Sequence, residues 1–382
     1  MRRTKKDLFV DFVLHVIRPL VYIWMFFDMK VKVNVGEGVN FKTKKPYIML
    51  SNHTYLFDSI QVPMRFRVAA FAVVSRTLFT HQPTKFLFNN ILHVVPKSKG
   101  SSDLRTVRGL IKAVNMGYPV LIFPEGNTTF YGSTNYIEES TMKLIKKLNI
   151  DVITCNVKGG YLSKPRWATG KRKNRRAELN YKLTISKADL KDMSIDEIHN
   201  KIYDALYNND WEYQRKMMIK HPGKKLAEGL ENVIYVCPEC KAVNSIKTSG
   251  NNFECSHCKT KGYVDEYGFL HGFKYDNLSD WDKFQRPLKS IVEQGVIESS
   301  GFLNYLRFED AARIPVGRVK LVYKEGKYYF SGALDEIINL SDIHNSVITL
   351  RRDLEFDYDN RHFITKLDRF GISLLRVAQN KY

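Results

Sequence analysis

Acidic residues are in short supply in this chain. Forty Asp and Glu stand against sixty Lys and Arg, which leaves a net charge of +20 and a pI near 9.5. A surplus of that size implies an anionic partner, either nucleic acid or an anionic membrane surface. Long hydrophobic runs are also lacking. Mean hydropathy is −0.32, which excludes a polytopic membrane protein and leaves room for one membrane-attached segment. There is no internal repeat, no low-complexity tract and no signal peptide with a small-residue cleavage site. The 44% hydrophobic and 26% charged fractions are ordinary globular values and exclude disordered and collagen-like classes. A length of 382 residues allows two or three domains.

Cysteine is scarce, with five residues, yet four of them form two tight pairs, Cys237-Pro-Glu-Cys240 and Cys255-Ser-His-Cys258. Two such knuckles predict a tetrahedral structural zinc site, since four thiolates can converge on one ion from two hairpin tips. His257 is a bystander there. Four thiolates leave no open position for water or substrate. Such thiols must stay reduced, which favours the cytoplasm. Cys155 stands alone in an apolar run and reads as a buried core residue.

The first thirty residues open with Arg2, Arg3, Lys5 and Lys6, followed by an apolar stretch from Leu8 to Phe27. Its length is about that of a bilayer span. Asp11, His15 and Arg18 interrupt it, Pro19 kinks it, and charges at a bilayer centre cost ~2.5–3.5 kcal/mol each. The pattern therefore predicts two short apolar helices, or one bent one, lying in the membrane interface with Trp24, Tyr22 and the phenylalanines among headgroups. A buried core helix and a true span are the alternatives.

Residues 31–230 read as one α/β domain. Strands are expected at 46–51, 69–75, 91–95, 119–123, 151–157 and 179–185. Helices are expected at 59–65, 85–90, 103–116, 140–148 and 195–220. The alternation implies strands mostly crossed over by helices. A zinc ribbon follows over 232–263. Residues 264–382 form a β-rich domain, with hairpin turns at Glu325-Gly326 and Asp359-Asn360 and a final helix over 371–379. Several strands closed by a helix suggest a small pleckstrin-homology-like barrel.

Two motifs carry chemistry. Asn52-His53-x4-Asp58 follows the apolar strand Tyr47–Leu50, and histidine suits general-base work near neutral pH. An aspartate on the second imidazole nitrogen fixes the tautomer and stabilises the imidazolium. Phe123-Pro124-Glu125-Gly126 follows a second apolar strand. Both motifs sit at strand ends and can face one crevice.

In order, spacing and strand context, the two motifs resemble those of the glycerolipid acyltransferases, which include 1-acylglycerol-3-phosphate acyltransferases. The resemblance spans roughly residues 30–230, and the hydrophobic N-terminal segment is similar to the membrane-embedded helices of family members. It implies that His53 deprotonates the acceptor hydroxyl, that Asp58 orients His53, and that Glu125 and Gly126 belong to the glycerol-phosphate pocket with Asn52. It also implies a phosphate-binding cation, for which Lys97 or Lys99 is the candidate. The arginine that many members carry just after Glu-Gly is absent here, where the chain reads Asn127-Thr128-Thr129. Arg105 and Lys143 are possible substitutes.

Between Lys158 and Lys187 there are ten basic residues and one acid. The run suits adhesion to anionic lipid or steering of an acidic acyl carrier protein. The loop with Lys164, Arg166 and Trp167 either borders the active site or is an ordinary surface loop. The cysteine module itself is electrically neutral, with Lys241 and Lys247 offset by Glu239 and Glu254, which argues against nucleic acid as a partner.

The expected protein is therefore a peripheral or monotopic enzyme at the cytoplasmic face of the cell membrane. It moves an acyl group from acyl-carrier protein or acyl-CoA to a lysophospholipid, giving phosphatidate from 1-acylglycerol 3-phosphate. Another lysolipid or a glycolipid is an alternative acceptor. A zinc-ribbon adaptor or nucleic-acid binder with a lapsed catalytic domain is the competing class.

Overall fold

The computed structural model describes residues 3–75, 86, 90–97, 104–307 and 313–379. The chain forms two compact units. The first comprises 1–163 and 174–217, the second 164–173 and 218–382.

The first unit is built on a seven-stranded sheet. Its strands are β1 (Lys30–Val35), β2 (Ile48–Ser51), β3 (Phe71–Ser75), β4 (Val94–Lys97), β5 (Val120–Ile122), β6 (Val152–Lys158) and β7 (Arg176–Ile185), in the order β1-β7-β6-β2-β5-β3-β4. From β6 to β4 all neighbours are parallel. β7 turns back antiparallel to β6, and β1 runs parallel to β7. Every residue of β2 and β5 is buried, as parallel strands covered on both faces require. Ile48 and Leu50 face one apolar cluster with Val120 and Ile202, and Met49 faces the other with Leu121, Ile153 and Tyr181.

Five of the six expected strands are present within a few residues, and the one expected at 91–95 forms later, at Val94–Lys97. β1 is an addition, legible in hindsight as the alternation of Val31, Val33 and Val35. The expected helix at 85–90 lies largely outside the described residues. Two other expected helices form as α3 (Leu104–Asn115) and α4 (Glu139–Leu148), after α2 (Asp58–Gln61).

The N-terminal segment is one continuous helix, α1 (Lys5–Asp28), which runs through Pro19. Two of its polar side chains tie it to the rest of the unit. Asp11 accepts from Tyr118 Oη at 2.7 Å and lies 2.9 Å from His93 Nε2. Tyr22 Oη donates to the Met64 carbonyl at 3.0 Å. Along the helix, Phe9, Phe12, Val16, Leu20, Ile23 and Phe27 recur at three- and four-residue steps and are all exposed.

The long helix expected over 195–220 is two. Ile195–Leu206 begins with a Ser194 capping box and ends at Tyr207, whose φ of −56° and ψ of 128° leave the helical region. A second helix, Asp210–Met217, follows. The apolar face at Ile198, Ile202 and Leu206 supports only the first piece, and the intervening asparagines are turn-formers.

The second unit holds a four-stranded antiparallel sheet (Ile246–Ser249, Asn252–Cys255, Lys261–Val264, Leu270–His271) around the cysteine pairs. It also holds a seven-stranded antiparallel sheet. The strands of this sheet, in chain order, are Ile297–Arg307, Arg313–Lys324, Lys327–Gly332, Glu336–Asn339, His344–Thr349, Asp353–Tyr358 and Arg361–Leu367. They lie side by side as fourth, third, second, first, seventh, sixth, fifth. The helix Gly371–Ala378 ends the chain's described elements. Both expected hairpin turns form. Glu325-Gly326 and Asp359-Asn360 have positive φ at both positions, the two-residue geometry that suits the twist of hairpin strands.

Candidate active site

β2 ends at Ser51, and the chain leaves the sheet edge as the loop Asn52–Phe57 before α2 begins at Asp58. His53 Nδ1 lies 2.8 Å from Asp58 Oδ1, with Asp58 fully buried and the His53 side chain 17% exposed. Neither atom has a hydrogen-bond partner among the described residues, and catalytic hydrogen bonds are often poorly aligned until substrate binds. The second oxygen of Asp58 accepts from the backbone N–H of Thr54 at 2.8 Å and of Tyr55 at 3.2 Å. The loop thus wraps its own carboxylate, which satisfies a charge that would otherwise be costly to bury.

The second motif grips the first. Glu125 Oε1 accepts from the His53 backbone N–H at 2.8 Å, and Oε2 accepts from the Asn135 N–H at 2.6 Å. Thr129 N–H donates to the His53 carbonyl at 2.9 Å. The Phe123 ring lies 4.3 Å from the imidazole centroid. His53 is therefore held from both backbone sides and on one ring face. Burial pushes the Glu125 carboxyl up to about 8, against the pull of these backbone donors.

Gly126 has φ +68° and open space where a Cβ would stand. The glycine serves the turn that closes on the Phe123 carbonyl. Asn52 is placed differently from its expected role. It is 1% exposed, its amide donates to the Val157 carbonyl at 2.8 Å, and its carbonyl accepts from the Val157 N–H at 2.7 Å. It is a strut between β2 and β6.

Lys97 ends β4. Because β2, β5, β3 and β4 are parallel neighbours, Lys97 shares an edge with His53 and Glu125. It stands three strands from β2, about 14 Å at ~4.8 Å per strand. Lys99 lies outside the described residues. Lys143 pairs with Glu139 at 2.8 Å on an exposed helix face.

Residues 164–173 belong to the second unit, where Arg166 donates to the Ile348 carbonyl at 2.8 Å and Trp167 is buried. The basic run is partly committed as well. Arg172 is buried over the Trp167 ring, and Arg175 pairs with Asp28 at 2.8 Å.

Sequence reasoning missed two contributors. A cavity of about 480 Å³ adjoins α2, lined by Tyr22, Met25, Phe26, Gln61, Met64 and Leu179 among others. Gln61 lies one helical turn from Asp58. Its Oε1 accepts from Tyr55 Oη, and its Nε2 is buried without a partner among the described residues. The second contributor is Gly160, which packs against Thr54 and Tyr55. The Gly159-Gly160 pair was its only sequence signal.

In the second unit the Sγ atoms of Cys237, Cys240, Cys255 and Cys258 all lie within 4.8 Å of one another. Cys237 to Cys258 is 3.9 Å and Cys240 to Cys255 is 3.7 Å. Tetrahedral zinc at ~2.3 Å from each sulfur needs about 3.8 Å between sulfurs, so the four residues fit that ion. Each knuckle closes alike. Lys241 N–H bonds the Cys237 carbonyl and Lys259 N–H the Cys255 carbonyl, with φ of +61° and +63° at the two lysines. His257 is exposed. Cys155 is fully buried in the first unit, and burial pushes its thiol up.

Residues 32–158 match the family model described as Acyltransferase. The matched segment contains His53, Asp58, Lys97, Glu125 and Gly126. No curated protein matches the chain. Among solved structures the chain is similar to the crystal structure of the 1-acyl-sn-glycerophosphate (LPA) acyltransferase, PlsC, from Thermotoga maritima. The identity is 18%, the TM-score 0.41, and the likeness covers 56% of this chain and 83% of that one.

Proposed function

We propose that the protein is a membrane-associated acyltransferase that acylates the free hydroxyl of a lysophospholipid, with 1-acylglycerol 3-phosphate as acceptor and phosphatidate as product. The observation that carries this reading is the His53–Asp58 pair, with an accessible imidazole inside the acyltransferase segment.

His53 Nε2 takes the proton of the acceptor hydroxyl while Asp58 holds the Nδ1 side. The oxygen attacks the thioester carbonyl of acyl-carrier protein or acyl-CoA. The C–O bond forms, the C–S bond breaks, and the proton passes from His53 to the leaving thiolate. The acceptor phosphate is met by Lys97, a point charge on the same sheet edge. The cavity beside α2 takes an acyl chain, being apolar and of ligand size.

The exposed apolar stripe of α1 lies in the plane of the membrane at its cytoplasmic face, while Asp11 and Tyr22 bind the helix to the domain. The four cysteines hold a structural zinc ion. The strand order and closing helix of the second unit support a pleckstrin-homology-like barrel there.

The test is acyl transfer from acyl-carrier protein and from acyl-CoA to 1-acylglycerol 3-phosphate, with His53→Ala alongside. His53-dependent phosphatidate is the expected result. Equal product from the variant overturns the mechanism. No product from the folded wild-type protein with either donor overturns the acceptor assignment.

A further inference from the structure

Asp210 has no exposed surface and no part in the chemistry above. It opens the short helix that follows the break at Tyr207. A buried carboxylate is costly unless its oxygens are bonded, and these are. Oδ1 accepts from the Gly159 N–H at 2.8 Å and from Asn208 Nδ2 at 2.7 Å. Oδ2 accepts from the Tyr161 N–H at 2.8 Å. Burial nonetheless holds its carboxyl above the ordinary range.

The turn that Asp210 captures lies directly against the catalytic loop. A Cβ on Gly160 would collide with Thr54 Oγ1 and would stand 2.6 Å from Tyr55 Cδ1. Thr54 and Tyr55 are the two residues whose N–H groups grip Asp58. Asp210 reaches the other side of His53 too. Its N–H donates to the Gly132 carbonyl at 2.8 Å. Gly132 closes a turn on the Thr129 side chain, and Thr129 holds the His53 carbonyl. One buried residue thus joins both loops that brace the histidine, the Gly159–Tyr161 turn through its carboxylate and the Thr129–Gly132 turn through its backbone N–H.

We propose that Asp210 is a positioning residue for His53, acting through the Gly159–Tyr161 turn and the Thr129–Gly132 turn to hold the loop in which His53 meets Asp58. This rests on His53 being the general base. Its role is geometric, so its loss lowers the rate of the chemical step and leaves substrate binding nearly intact.

The full-length protein carrying Asp210→Asn tests this. The amide keeps the volume and turns one acceptor into a donor that faces a backbone N–H. Misplacement by ~1 Å can cost about 100-fold, so kcat is expected to fall roughly 10- to 100-fold, with KM for donor and acceptor changing less than about two-fold. Nitrogen-15 spectra of the histidines supply a readout independent of turnover. The His53 ring resonances should move in Asp210→Asn toward those of Asp58→Asn. Gly160→Ala disturbs the same contact without touching Asp210 and should give the same signature.

A folded Asp210→Asn protein with wild-type kcat and unmoved His53 resonances overturns the proposal. So does a rate loss matched by the unfolded fraction in a thermal melt. If Asp210→Asn does not fold, Gly160→Ala decides by the same two readouts. If the wild-type protein shows no acyl transfer, the proposed reaction fails, and the His53 spectra still report on the positioning.

Discussion

The backbone N–H of His53 donates to Glu125 Oε1 at 2.8 Å, so the residue after the second motif's proline anchors the main chain of the first motif's histidine. The two motifs are parts of one brace. Glu125 gives both oxygens to backbone donors, one at His53 and one at Asn135, so it fixes where the main chain carries the imidazole.

That bond makes Glu125→Gln informative. An amide places a donor against one of two backbone N–H groups. The expected outcome is a fall in kcat of ~10-fold or more, with the fold intact by circular dichroism. Unchanged kcat would remove Glu125 from the positioning of His53.

Glu125 also predicts a pH dependence. Its folded-state pKa is raised from 4.5 to about 8 by burial. For an acid shifted upward, the stabilising contribution is complete below the unfolded value and is lost as pH rises through the folded one. Denaturant midpoints of the wild-type protein should therefore fall between pH 4.5 and 8 more steeply than those of Glu125→Gln. Parallel profiles would contradict this.

The catalytic pair predicts graded losses. His53→Ala should abolish turnover while the thermal melt is retained. Asp58→Asn keeps the shape of the side chain and loses its charge, and a rate loss of about 10²–10⁴-fold is expected. Asp58→Asn activity within two-fold of wild type would sink the role given to Asp58.

Gly126 separates strain from crowding. An added Cβ meets nothing, yet φ is +68°. Gly126→Ala should cost about 1–2 kcal/mol from the left-handed backbone alone, seen as a lowered denaturant midpoint. Gly126→Asn should recover part of it, since asparagine tolerates that region better.

The exposed face of α1 predicts membrane binding that yields to point substitution. Phe12 and Leu20 are 65% and 67% exposed, so replacing them by serine should leave the fold alone. Each buried side chain is worth ~1.5–3 kcal/mol, so Phe12→Ser with Leu20→Ser should lower affinity for anionic vesicles at least ~100-fold in a flotation assay. Unchanged flotation would move the membrane contact elsewhere.

The cysteine cluster predicts one zinc ion per chain by elemental analysis. Cys240→Ser or a strong chelator should release it and expose residues 237–258 to protease, because the knuckle sheet is too small to stand on its own core. A metal-free protein with the same protease resistance would refute the site.

Much of this was legible in the sequence because it is local. Apolar runs at 48–50 and 120–122 declare buried strands by composition. The CxxC pairs declare their convergence by spacing. Asp359-Asn360 declares its turn by residue type. The His53–Asp58 contact is likewise local, since one loop and the first turn of a helix deliver both groups. What only the tertiary structure decided is everything that depends on which segments meet across long separations. Asn52 carries the same letters whether it faces a substrate or, as here, Val157 across 105 residues. Asp11 reads as a flaw in a membrane helix until Tyr118 and His93 are beside it. Asp210 reads as mid-helix until the chain breaks and turns its carboxylate beneath Gly159. Backbone groups donate and accept identically in every residue, so no pattern of side chains announces which N–H a distant carboxylate will find. Only packing makes that choice.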